Sequence, residues 1–345
     1  MQENFDPAAI RPLNVSLRAG SPAYHAYNAR ADLSVPVPEP EELAAGFRPR
    51  KSLNLHDFGG KTITDLVFVN RYLGGAAAWD PADIASIDAA LSKAMADSGL
   101  QSVIAQYYPG ATISSRMLAS AVLPDAAPAT IYKDQVEALA ARIFTAGGLG
   151  GADPASTVIN VRLPSGVVLV DGFSPGFAPP AGAEAEHERR EHSIIKIDDD
   201  QDADSKHGLG GYHGSVHVGA DGTTHVSIAA GDTTVYYAVG VYSEGDNGIP
   251  VFDQPWKNVV ATFYHELNEA RTDPDVEDVI RTNDTSMLGW YSRRGGEIGD
   301  IPINEAGAAG NLGLVFLEIN LADGSGTVPV QLMWSNKDDG PASHV

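Results

Sequence analysis

The run TITDLVFVNRYLG at 62–74 is followed within a few residues by DPADIASIDAALSKAMADSG at 80–99, and that succession leaves little freedom of architecture. The first run, rich in Val, Leu and Phe, reads as a buried strand. In the second, Asp80 stands as an N-cap with Pro81 at the first helical position. Ile84, Ile87, Leu91 and Met95 then share one side, and Gly99 closes the helix. The same logic repeats at 131–148, a helix ending on glycine, after an irregular or strand-like stretch at 111–123. Residues 156–170 read as a hairpin turning at Pro-Ser-Gly 164–166, and further strands are expected at 211–218, 224–230 and 233–242. A helix over 257–273 is stopped by Pro274, and a last strand at 328–334 lies in a Gly-rich tail that begins at 289. Together these elements predict an α/β protein: a mixed β-sheet with packed helices, in one main domain over 56–345. Ahead of it, residues 1–55 read as an extended Pro-rich arm containing VPVPEPEE at 35–42. The Pro/Gly and charged stretch from 174 to 211 reads as a long surface excursion.

Charge narrows the partners. The chain has 345 residues, with 23 Lys+Arg against 45 Asp+Glu, a formal net charge of −22 and no cysteine. Such a chain repels a phosphate backbone and has no basic run to offset this, so nucleic acid is excluded as a partner class. An anionic membrane surface is disfavoured for the same reason. No run of about 18 apolar residues occurs, so membrane insertion is not expected. Without cysteine there are no disulfides, thiolate nucleophiles or Cys-ligated metals, and any metal must be held by His and carboxylates. The start, MQENFDPAAIRPLN, has neither a basic nor an apolar signal region. The expectation is therefore a cytoplasmic protein or one exported by a non-Sec route, and a secreted one if a leader has been removed.

The sharpest chemical signal is His265-Glu266-Leu267-Asn268-Glu269. On a helix, positions i and i+4 lie on one face, so His265 and Glu269 can bind one ion, with Glu266 beside them as general base. This is the H-E-x-x-H arrangement of zinc hydrolases with Glu in place of the second His. A carboxylate is an acceptable zinc ligand, and one His with carboxylates also suits calcium or manganese. The same two residues would equally form an ordinary i,i+4 hydrogen-bonded pair. Further ligands are sought in GWYSRRGGEIGD (289–300), where Glu297 and Asp300 sit in a glycine-rich turn, with Tyr291 nearby. Asp273 reads as a helix-end acceptor, and Asp275 is discounted because Thr272 replaces the glycine of the long zinc motif. His213, between glycines in GGYHGS, is the remaining histidine candidate. The acidic run Asp198, Asp199, Asp200, Asp202 and Asp204 fails the calcium-loop spacing and reads as a solvated loop. No nucleophile elbow, dinucleotide fingerprint or phosphate loop is present.

The order GYHGS (211–215), YYAVGVY (236–242), FYHELNEARTDP (263–274), GWYSRRGGEIGD (289–300) and VQLMWSNKDDG (330–340) resembles the EXORDIUM-like, or phosphate-induced protein, family and its bacterial relatives. LVFVNRYLG with Trp79 and the helix after it extends the resemblance from Lys61 to Gly340. Plant members of that family are secreted cell-wall proteins linked to growth, and the bacterial relatives look like zincin-type metalloproteases. The resemblance implies a zincin-like helix under a cleft, with the motif falling on His265, Glu266 and Glu269, on Asp273, Glu297 and Asp300 downstream, and on His213 upstream. This chain departs from the family in lacking the cysteines near GYHGS and GEIGD, where Ile301 follows Asp300.

The function expected from the sequence is a metal-dependent hydrolase, a zinc peptidase acting on a peptide or protein substrate. His265 and Glu269 would bind zinc, Asp300 or Glu297 would complete the site, and Glu266 would take a proton from the attacking water. The alternative is a non-catalytic binding or structural protein on a metalloprotease-like scaffold.

Overall fold

The computed structural model describes residues 15–18, 20–28, 47–177, 203–225 and 228–345. The VPVPEPEE segment and Asp198 to Asp202 lie outside the described residues. No helix among the described residues is long and apolar enough to cross a membrane.

The protein is α/β. Its main sheet runs in the order Val15–Leu17, Leu209–Val218, Thr233–Gly240, Thr157–Arg162, Asp65–Tyr72, Ser114–Met117. The last four strands are mutually parallel, whereas Leu209–Val218 is antiparallel to both of its neighbours in that order. The parallel strands are apolar on both faces because both are covered. Leu66, Phe68, Val158, Tyr236 and Ala238 face one core with helices Pro81–Ala96, Ser98–Ala105 and Pro255–Thr272. Val69, Ile159, Val161, Val235, Tyr237 and Val239 point the other way, against helix Lys133–Thr145. The alternation follows the strand period of two.

Several sequence expectations are corrected here. The stretch 80–99 is two helices: Asp97 ends the first and accepts the Leu100 N–H at 2.9 Å to cap the second, so Gly99 closes nothing. Residues 156–170 are not a hairpin, although they turn where expected. Thr157–Arg162 joins the main sheet, and Val168–Val170 pairs in parallel with Thr130–Tyr132 in a separate two-stranded sheet. A local turn cannot distinguish hairpin return from departure to another partner. The strand expected at 224–230 is confined, among described residues, to Thr224–His225. The strand expected at 328–334 is divided into Thr327–Gln331 and Met333–Ser335, which pair with different partners. The 1–55 segment is not wholly a separate arm: Val15–Leu17 forms the outermost strand beside Leu209–Val218.

Helix Pro255–Thr272 positions the chemistry. Pro255 starts it, Pro274 follows its end, and every residue from Asn258 to Thr272 is buried. A helix buried on all sides must place its polar residues against partners inside the protein. One opposing residue is His213 on Leu209–Val218, where His213, Ser215 and His217 alternate with the core-facing Tyr212, Val216 and Val218, Ser215 and His217 being bonded to Asp278 instead.

Leu91 is fully buried in the helix-side core. Leu91→Ala is expected to cost about 2–5 kcal/mol in urea unfolding, since both transfer energy and a cavity are involved. A loss below about 1 kcal/mol would show that this interface repacks freely.

Candidate metal centre

Seven ionisable side chains meet where the buried helix crosses the sheet edge: His265, Glu266, Glu269 and Asp273 from the helix and its end, His213 from the strand, and Glu297 and Asp300 from the glycine-rich segment after Ser292. Each is at most 6% exposed. Two groups among them have ligand atoms close enough to hold an ion: His265, Glu269 and Asp300, and His213, Glu266 and Glu269.

In the first group His265 Nε2 lies 2.9 Å from Glu269 Oε1 and 3.9 Å from Asp300 Oδ1. The imidazole is oriented by a chain of bonds. Gln331 donates its amide to Gly299 O at 2.6 Å, which turns its Oε1 toward His265 Nδ1 at 2.8 Å. Nδ1 must therefore carry hydrogen, and Nε2 is the nitrogen presented to the carboxylates. Gly299 and Asp300 each donate a backbone N–H to Glu269 Oε1 at 3.1 Å, using the free donors at the start of helix Asp300–Ala308. A Cβ on Gly299 would lie 2.6 Å from His265 Nδ1, so this glycine lets the backbone lie against the ring. Gly289 plays the matching part for Asp273. Its N–H donates to Asp273 Oδ1 at 2.8 Å, and a Cβ there would collide with Thr272 O.

In the second group His213 Nδ1 lies 3.4 Å from Glu266 Oε2 and 3.7 Å from Glu269 Oε2. Its Nε2 faces Glu297 Oε1 at 3.7 Å and the Asp273 carbonyl at 3.4 Å. Ser16, on the outermost strand, donates its hydroxyl to Glu266 Oε1 at 2.6 Å.

Of the residues expected from sequence, His265, Glu269 and Asp300 come together, with Glu266 next to them. Glu297 is near, but across the His213 ring and not in the His265 group. Tyr291 packs in an apolar cluster with Val276, Val279 and Leu288. Asp275 accepts from the Tyr236 hydroxyl at 2.6 Å, outside the cluster. Ser16 and Gln331 were not anticipated. Gln331 sits in the apolar-looking VPVQLMW, where one polar residue is a faint signal, and nothing in the sequence marks Ser16.

The electrostatics call for positive charge. Burial pulls the His265 imidazole down, but Glu269, Glu266 and Asp300 together lift it to about 10. Burial raises Glu266, against the opposing pull of His213 and His265. Burial, then Glu269 and other carboxylates, holds Glu297 and Asp300 well above the usual range. Asp273 is raised by burial despite the Gly289 hydrogen bond. A cluster that gathers protons so strongly has the electrostatics of a cation site.

Comparison of the chain with protein-family models, with curated proteins and with solved structures finds no match to any of them. The likeness to the EXORDIUM-like family therefore stands on the motif residues alone.

Two outcomes follow from this geometry. Every resolved shift in the cluster is upward. For His265, the stability gained is complete below its unfolded value of about 6.5 and is lost as pH rises through about 10. The raised carboxyls act in the same sense, from an unfolded value of about 4 upward. Chelator-treated protein should thus melt progressively lower between pH 6 and 9.5, and added zinc should remove most of that dependence; a melting temperature rising with pH would contradict the cluster's electrostatics. Gly299→Ala should destabilise by about 1–3 kcal/mol through overpacking against His265. A double-mutant cycle with His265→Ala should recover part of that loss, and strict additivity would deny the contact.

Proposed function

We propose that the protein is a metal-dependent hydrolase, most simply a zinc peptidase, with His265, Glu269 and Asp300 holding a divalent cation. The observation that carries this reading is a set of fully buried carboxylate oxygens without a hydrogen bond, Glu269 Oε2 and both oxygens of Glu297, beside the His265 Nε2 that faces Glu269 Oε1 at 2.9 Å. Such atoms are costly to bury unless something else satisfies them, and a divalent cation does so at once. The donor set, imidazole with carboxylates, suits zinc best, with manganese or calcium as harder alternatives.

A cation in this position supplies Lewis acidity to a carbonyl and lowers the pKa of a coordinated water. The protein's own residues do the rest. Gln331 fixes the His265 tautomer, and the Gly299 and Asp300 N–H groups fix the plane of Glu269. Glu266 presents Oε2 as a proton acceptor while Ser16 holds Oε1. Burial raises the Glu266 carboxyl, which makes it a better base than a solvated one. The zincin-like reading and the membership of an EXORDIUM-like family belong to this proposal and are supported by the H-E-x-x-E, T-D-P and G-E-I-G-D residues meeting in one cluster.

One observation favours the alternative, a non-catalytic protein with a structural ion. Every residue of the cluster is buried, and Ser16 covers Glu266, as in a closed site. The two readings part on Glu266→Gln. A hydrolase should keep the metal on His265, Glu269 and Asp300 in this variant and lose at least 100-fold in turnover of a peptide library. Full turnover by Glu266→Gln would sink the proposed base. Metal binding with no turnover by the native chain, and a melting temperature that falls on chelation, would select the structural reading.

A further inference from the structure

Glu269 faces two different imidazoles with its two oxygens. Oε1 lies 2.9 Å from His265 Nε2, and Oε2 lies 3.7 Å from His213 Nδ1. We propose that the cluster holds two divalent cations that share Glu269, the first on His265, Glu269 and Asp300 and the second on His213, Glu266 and Glu269. The inference rests on the metal-centre reading above and adds a second ion to it.

Three features carry it. The two potential ligand groups have Glu269 in common and no other member. A carboxylate presenting opposite oxygens to two imidazoles is the arrangement that bridges paired ions, which in two-metal hydrolases stand about 3.5–4 Å apart. Secondly, the second group has its own unsatisfied atoms. Glu266 Oε2 and Glu269 Oε2 are fully buried without a hydrogen bond, and each lies within reach of His213 Nδ1. Ser16 holds Glu266 Oε1, and the Gly299 and Asp300 N–H groups orient Glu269 Oε1 toward His265, so Glu266 Oε2 and Glu269 Oε2 are the oxygens turned to His213. Thirdly, the charge is large. Glu266, Glu269, Asp273, Glu297 and Asp300 are five buried carboxylates. Two divalent ions offset more of that buried carboxylate charge than one can.

With the second ion in place, Glu266 Oε2 is a ligand and no longer free to take a proton. Glu297, whose oxygens both lack hydrogen bonds and whose Oε1 sits 3.7 Å from His213 Nε2, lies outside both ligand groups.

The test is metal stoichiometry on the full chain, stripped by chelation and reloaded with zinc or with Mn(II). Two ions per chain are expected in the native protein, falling to one in His213→Ala and to one in His265→Ala. Glu297→Gln should keep both. Because a variant can fail to fold, the unmodified protein loaded with Mn(II) supplies a second readout: an exchange-coupled pair in its electron paramagnetic resonance spectrum in place of the six-line signal of isolated ions. A single ion per chain with an isolated-ion spectrum overturns the two-ion proposal. If that ion survives His213→Ala and is lost in His265→Ala, the single-metal reading stands. No stoichiometric ion under either load overturns both.

Discussion

Five carboxylates and two imidazoles held out of water make one demand on the whole molecule: their charge must be balanced locally. Isolated buried carboxylates cost several kcal/mol each, so such a cluster persists only where geometry provides a counter-charge. The helix Pro255–Thr272 is the reason the cluster exists. It is buried on all sides, and Glu266, Glu269 and Asp273 recur along one stripe while His265 lies one turn from Glu269. A surface helix could point such residues to solvent; this one cannot.

The sheet supplies the other half of the site. Parallel strands closed on both faces fix the helix against the sheet, and the one long antiparallel strand carries polar residues on its helix-facing side. His213 reaches the carboxylates, whereas Ser215 and His217 bind Asp278 of helix Val276–Thr282 at 3.1 and 2.7 Å. The glycine-rich segment closes the third side because two of its glycines permit backbone contact that any side chain would block. Gly299 lies against His265 and Gly289 against the Thr272 carbonyl, so the segment's composition reflects packing as much as flexibility.

Much of this was legible in the sequence. The strand at 62–74 and the long helix through His265 follow from periodicity, and the H-E-x-x-E spacing puts His265 and Glu269 on one face, while the completing residue was left open between Asp300 and Glu297. What escaped was of two kinds, one local and one long-range. Asp97 splits a helix because its side chain caps the next one, a local competition that apolar periodicity does not register. The 156–170 turn was visible, but strand partners are chosen by the core and not by the turn. His213 stood only as a candidate, because its partners Glu266, Glu269 and Asp273 lie more than fifty residues away in sequence. The alternation of His213, Ser215 and His217 was the available signal, since three polar residues at a period of two in a buried strand must face something polar.

Ser16 joins the cluster to the start of the chain. Its strand is the outermost of the sheet, and its hydroxyl sits on Glu266 at 2.6 Å, so the same segment that completes the sheet edge also closes the site. That contact has two effects with one cause. It satisfies one oxygen of a buried carboxylate and thereby directs the other toward His213, which sharpens the site for a cation. It also ties the strand at the start of the described chain to the site, with both partners of the bond buried. The sheet edge and the cluster thus share one hydrogen bond, so loss of either partner is felt by both.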